Sequence, residues 1–340
     1  MRRVNRPILG ARRMANSEHA LAAVGWALGC ALLLAACGSD LTGPEAEPAV
    51  QAAILGITAA DLRDRVELIA HDSMQGRATP STGLEMTSGY IVQQFLALGL
   101  RPGGEQDYVQ RFPVGAAPET HAPNVIGWVQ GSDPVLRDQY VVFSAHMDHV
   151  GIAAPINGDS VFNGADDNAS GTAAVLELAE AFALLDPKPR RSLIFMTFSG
   201  EEGGLIGSLW YTDHPTIPLA STVANVNLDM IGRNWTDAIA AISPSSYLVQ
   251  MAEGVEEDHP ELGLRVIEDP WPERDLILRS DQYSFVRYDI PAALFTSGLH
   301  ADYHERSDEA DKIDFEKTAR VTRLMFYLGL RLANADELHN

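Results

Sequence analysis

The sequence predicts an α/β fold with a mostly parallel central sheet covered by helices on both faces. Two observations carry this. Four short apolar runs have the length and continuity of strands buried on both sides. They alternate with segments whose apolar residues recur at helical spacing, which is the pattern of strand–helix–strand units.

Taken in order, residues 82–100 (TGLEMTSGYIVQQFLALGL) form the first helix, with Gly99 placed to stop it. The strands follow at 139–145 (QYVVFSA), 192–198 (SLIFMTF), 223–229 (VANVNLD) and 292–297 (AALFTS). Between the first two lies a helix over 170–185, where Val175, Leu178, Ala179, Phe182 and Leu185 share one face. The last helix, 314–336, repeats that spacing at Val321, Leu324, Met325, Leu328 and Leu332. In sheets of this kind ligands bind beyond the carboxyl ends of the strands, so those ends are where chemistry belongs.

The N-terminal stretch has another purpose. Five arginines precede the apolar run 21–36, which is short for a membrane span and ends on small residues before Cys37, so residues 1–36 read as a secretory signal. Leu34-Ala35-Ala36-Cys37 resembles the lipobox of bacterial lipoproteins, which implies acylation of Cys37 and an exported chain anchored to the cell envelope. Residues 37–56 then read as a lipidated tether, small and polar with no sustained period, and 57–335 as one catalytic domain. Gly38 and Ser39 lack the aspartate that commonly retains lipoproteins at the inner membrane, which favours the outer one. The formal charge is −21, and loss of the leader's arginines makes it more negative. Such a surface repels phosphate backbones, so nucleic-acid partners are excluded. Of the two cysteines, Cys30 leaves with the signal and the other is the acylation site, so no disulfide is expected.

Each predicted strand runs into ionisable groups. The first ends in SAHMDHVG, where His146 and Asp148 are two apart and share a face on extended chain. The carboxylate can hold one imidazole nitrogen while the other binds a metal; a hydrogen-bonded surface pair is the plainer alternative. NGADDNASG (163–171) enters the next helix, and helix capping accounts for Asp166 or Asn168. SGEEGG (199–204) sets Glu201 and Glu202 side by side after a buried strand, where like charges repel and are costly to desolvate. Asp229 ends the third strand, and His300 and His304 stand in the charged loop 300–314. Two histidines and several carboxylates without a thiol suit zinc, cobalt or manganese, and two cations would let the acids stay ionised together.

The order His-x-Asp, Asp-Asn-Ala-Ser-Gly, Gly-Glu-Glu, Leu-Asp-Met, Tyr-His resembles the dinuclear zinc aminopeptidases of metallopeptidase family 28, over nearly all of 57–335. The resemblance implies the zinc-dependent exopeptidase fold, two Zn2+ ions and peptide substrates with a free N-terminus. It assigns His146 and Asp229 to one ion, Glu202 and His304 to the other, and Asp167 as the bridge. It makes Glu201 the general base and then acid, and counts Asp148 with the catalytic residues. Tyr303 matches a tyrosine that stabilises the oxyanion in some relatives. A cis peptide at Asp167–Asn168 is a further expectation. His149, His300 and Asp281 become supporting residues, and His71, His121, His214 and His259 surface ones. The 113–139 stretch is too short for the protease-associated domain many relatives insert there. Gln282 stands where the family's Ser-Asp-His segment has histidine, which leaves substrate preference open. Three rivals remain: a co-catalytic zinc carboxypeptidase or deacylase, disfavoured by the short span from Asp229 to His304; a one-zinc glutaminyl cyclase; and a non-enzymatic binding module on the same fold.

Overall fold

The computed structural model describes residues 47–117 and 119–338. Its helices are α1 (Glu47–Gly56), α2 (Ala59–Ile69), α3 (Thr82–Ala97), α4 (Gly171–Leu184), α5 (Ile206–Asp213), α6 (Ser246–Asp258), α7 (Gln282–Val286) and α8 (Phe315–Asn334). Its strands are β1 (Arg101–Pro102), β2 (Val109–Pro113), β3 (His121–Val129), β4 (Tyr140–His146), β5 (Gly151–Ile156), β6 (Asp159–Phe162), β7 (Ser192–Phe198), β8 (Thr222–Leu228), β9 (Ala238–Ile242), β10 (Arg265–Glu268) and β11 (Ala292–Thr296).

Nine strands make one sheet in the order β1-β3-β7-β4-β8-β11-β9-β10, with β2 also paired to β3. The four strands expected from the sequence, β7, β4, β8 and β11, are its centre and are all parallel. The flanks reverse direction: β3 runs antiparallel to β7, and β9 antiparallel to β11. The sheet is therefore mixed, with its four central strands parallel where the site lies and a second parallel pair, β9 and β10, at one edge.

Alternation explains the apolar runs. Val141, Phe143 and Ala145 of β4 join a large core with α3, α4, α6 and α8, whereas Val142 faces a smaller core built with Tyr211 of α5 and Phe285 of α7. Both faces being covered, no position on β4 or β7 is free to be charged until the strand ends. Ser144 of β4 and Asn225 and Asn227 of β8 form a buried polar chain. Asn225 donates to Ser144, which donates to Asn227, and Asn227 donates to Ser280 and Gln282. Each bond is buried, as buried polar groups require.

The helices have the expected limits to within a few residues. Ser81 accepts from Leu84 N at the start of α3, and Asp314 from Lys317 N at the start of α8. Gly99, at φ +69, ends α3 as expected. One expectation is corrected. The signal, Cys37 and residues 38–46 lie outside the described residues, but Glu47–Gly56 is no tether: it is α1, with Val50, Ala53 and Ile54 buried against the core beside α4. Their spacing of three and one was masked by an alanine-rich, nearly uniform composition. No helix among the described residues is long and apolar enough to cross a membrane.

Candidate metal centre

The carboxyl ends of β4, β7, β8 and β11 and a turn before α4 deliver the ionisable groups to one place. That turn, Ala165–Ser170, is kinked, with non-helical backbone at Asp167 and Asn168, and the peptide between them is cis as expected. Asp167 stands at the centre. Its Oδ1 is 3.3 Å from His146 Nε2, and its Oδ2 is 3.2 Å from His304 Nε2. His146 Nε2 is also 3.4 Å from Asp229 Oδ1, and His304 Nε2 is 2.8 Å from Glu202 Oε2. Two donors sharing a tetrahedral ion at about 2.0–2.2 Å stand about 3.3 Å apart. Three of the four imidazole–carboxylate spacings lie near that value and the fourth, His304 to Glu202, is shorter, with one oxygen of Asp167 turned to each imidazole. Asp167 Oδ2 is buried with no hydrogen-bond partner among the described residues, as an atom meant for a cation would be. The donors thus fit two nitrogen/oxygen-ligated ions sharing Asp167.

The two glutamates differ in environment. Burial pushes the Glu201 carboxyl well above the carboxylate range; His146 opposes this, and Asp229, Asp281 and Glu202 add to it. Burial and Asp167 also push Glu202 up, but hydrogen bonds from His149 and His304 prevail and hold it below its ordinary value. Neighbours in sequence, they are split in proton affinity. Burial opposes protonation of both imidazoles, yet facing carboxylates outweigh it: His304 is raised to about 10, and His146 well above its usual value.

Asp148 differs from expectation. Its carboxylate is 3.7 Å from His146 Nδ1, while its own carbonyl is closer at 3.2 Å. Fully buried, the carboxylate instead accepts from Glu201 N (3.2 Å) and Thr79 Oγ1 (3.0 Å), so it fixes the turn that carries Glu201. Asp166 caps no helix: its Oδ1 accepts from Gly232 N, and its Oδ2 is 3.2 Å from His300 Nε2. Asn168 receives Gly171 N and donates to Leu228 O. The turn before α4 is therefore bonded across to the end of β8. Asp281 is fully buried beside His146 and raised to about 7, by burial first. Gln282 is buried away from the cavity, bonded to Asn227, Leu276 O and Ile277 O. Among the histidines expected at the surface, His71, His121 and His214 are exposed, while His259 is half-buried and stacked on Tyr327.

Two important residues escaped the sequence reading. Arg77 has no exposure, and its guanidinium donates to the carbonyls of Ile69, Met147, Asn163 and Gly164. It holds the His146 loop to the loop leading into Asp167. Burial lowers it to about 10, so it stays charged at neutral pH. Asp308 accepts from Asp166 N and Asp167 N and fixes Asp167 from the loop that carries His304. Arg77 shows only as a Gly-Arg pair in a polar stretch, and Asp308 as one acid among many; burial alone distinguishes them.

A narrow cavity opens beside Asp167, Glu201 and Asp229, walled by Met230, Leu276, Leu294, Leu299, Arg279 and Tyr303. The Tyr303 ring stacks on His304 at 3.8 Å, and burial with nearby carboxylates keeps its phenol protonated.

Residues 124–329 match the model of peptidase family M28. The chain is 38% identical over 112 residues to mouse aminopeptidase NAALADL1, covering 32% of this chain and 13% of that protein. It is 37% identical over 116 residues to aminopeptidase YwaD of Bacillus subtilis, covering 34% and 23%. These matches span less than a quarter of either relative. An aminopeptidase from Aneurinibacillus sp. strain AM-1 superposes with a TM-score of 0.66 at 18% identity, over 85% of this chain and 97% of that one. At that identity the likeness shows a shared fold.

Proposed function

The chain belongs to peptidase family M28, and on that footing we propose that it is a zinc-dependent aminopeptidase removing N-terminal residues from peptides. One observation carries the reading: Asp167 turns one oxygen to His146 and the other to His304, with Glu201 and Glu202 adjacent and oppositely tuned. His146, Asp167 and Asp229 would hold one ion, and Asp167, Glu202 and His304 the other. Two zinc ions there supply Lewis acidity for the scissile carbonyl and for water.

The protein's own groups do the rest. Glu201, its proton affinity raised by burial and its N–H held by Asp148, takes the proton of the attacking water and returns it to the leaving amine. Tyr303 donates its hydroxyl to the developing oxyanion. The cavity walls receive the first side chain, and the carboxylates of Glu201 and Asp229 at its inner end receive the free α-ammonium group.

The test is hydrolysis of aminoacyl anilides against their N-acetylated versions. Losing a charge-assisted hydrogen bond to the ammonium costs roughly 1.5–3 kcal/mol, about one to two decades in rate. The free substrates should react faster by at least that factor, and a chelator should abolish both rates. Equal rates would favour the deacylase or carboxypeptidase reading. We also propose export and envelope anchoring through acylated Cys37, supported by the lipobox-like Leu34–Cys37 sequence. Cys37→Ala should then move the protein from the membrane to the soluble fraction, and unchanged partitioning would refute acylation.

A further inference from the structure

His149 lies between the two donor sets without belonging to the five ligands proposed above. It is 1% exposed, and its Nδ1 is 2.8 Å from Glu202 Oε1 and 3.7 Å from Asp167 Oδ2. Glu202 turns its other oxygen, Oε2, to His304. The ring is confined: a side chain on Gly164 would meet it at 2.5 Å, and His149 N donates to Arg77 O. His149 Nε2 is buried with no partner.

Two roles are compatible with this position. As a ligand, Nδ1 would be bare and point at the second ion. As a donor, Nδ1 would carry the proton and bind Glu202. The 2.8 Å contact is a hydrogen-bond distance, but His304 Nε2, proposed above as a ligand, stands equally close to Glu202, so the spacing to Asp167 Oδ2 discriminates. His304 meets that oxygen at 3.2 Å, near the spacing of about 3.3 Å expected for donors sharing a tetrahedral ion, whereas His149 at 3.7 Å lies beyond it. The partnerless Nε2 favours the same answer, because a neutral imidazole has one N–H and a buried orphan donor is costly.

We infer that His149 is a positioning residue for the second ion: its Nδ1–H holds Glu202 Oε1, leaving only Oε2 to face the ion beside His304 and Asp167. The inference rests on the two-ion reading above. Groups of this kind, bonded to a ligand behind the ion, commonly set affinity by about 10- to 100-fold.

The experiment is stepwise Co2+ titration of the metal-free protein, followed by visible absorption and by competition with a chelator, with a melting curve of each metal-free variant as a folding control. Wild type should take up two ions. His149→Ala should keep the first at unchanged affinity and weaken the second by about 10- to 100-fold. His149→Asn, whose amide nitrogen branches from Cγ where Nδ1 does, should restore most of that loss. His149→Asp puts an acceptor against an acceptor and should not. Unchanged second-ion affinity in His149→Ala overturns the inference, as does no restoration by Asn. Restoration by Asp alone overturns it in favour of a direct ligand. A wild type that binds fewer than two ions overturns the two-ion reading and this inference together.

Discussion

Glu201 and Glu202 are one bond apart in sequence and do different work, so isosteric changes should separate them. Glu201→Gln should keep both ions and lose about 10²–10⁴-fold in kcat, the usual cost of a missing general base. Glu202→Gln should lose the second ion. Metal content and kcat measured on the same preparations decide, and the opposite pattern would exchange the two roles. Arg77 acts at one remove. Replacing it with methionine removes four hydrogen bonds and leaves four carbonyls, those of Ile69, Met147, Asn163 and Gly164, without their donor. Unsatisfied buried groups cost about 1–3 kcal/mol each before relaxation. Arg77→Met should therefore be destabilised by at least about 3 kcal/mol in denaturant unfolding. A loss under about 1 kcal/mol would mean that water replaces the guanidinium.

At the scale of elements, α1 makes the clearest prediction. Val50 and Ile54 are 7% and 8% exposed, and burying such side chains contributes about 1.5–3 kcal/mol each, partly offset by ordering ten residues. A chain starting at residue 57 should melt about 4–8 °C below one starting at residue 47, equivalent to about 2 kcal/mol. Equal melting temperatures would return α1 to the status of a tether. The elements legible in the sequence were those with an unambiguous period or an unbroken apolar run: β4, β7, β8, β11, α3, α4 and α8. The others lacked that signal. β3 (HAPNVIGWV) contains Pro, Asn and Gly, and β9 (AIAAI) is too short and too alanine-rich to show alternation. The five proposed ligand positions and Glu201 were legible because they stand in five motifs whose order carries the family resemblance. Arg77 and Asp308 were not, since their importance lies in burial and in bonds to main chain.

Across the whole molecule, ion binding and pH are coupled. In the metal-free protein His304 is raised from 6.5 to about 10, so its contribution to stability is complete below pH 6.5 and is lost as pH rises through about 10. His146 is raised in the same direction. The ions need both imidazoles unprotonated. The chelated protein should therefore lose stability between about pH 7 and 10, while the stabilisation gained from added zinc should grow over the same interval. Melting curves with zinc and with chelator at several pH values check this. Parallel curves would show that the imidazoles are not held protonated by their carboxylates. Zinc uptake at pH 7 should also release protons, measurable as a heat that changes with the buffer's ionisation enthalpy.

The span between Asp166 and Asp308 has one more consequence. Their bond closes 142 residues of chain, and the proposed ligands are spread from His146 to His304, so no short stretch contains a complete donor set for both ions. Contacts so distant in sequence form only when the intervening topology is already correct. Uptake of the proposed second ion would then serve as an inspection of the finished chain: a product lacking the His304 loop loses the imidazole that faces Glu202 Oε2 and the Asp308 carboxylate that accepts from Asp167 N. A chain ended before residue 300 should bind at most one Co2+, weakly. If it bound two with full-length affinity, the metal would be reading local sequence and not the completed fold.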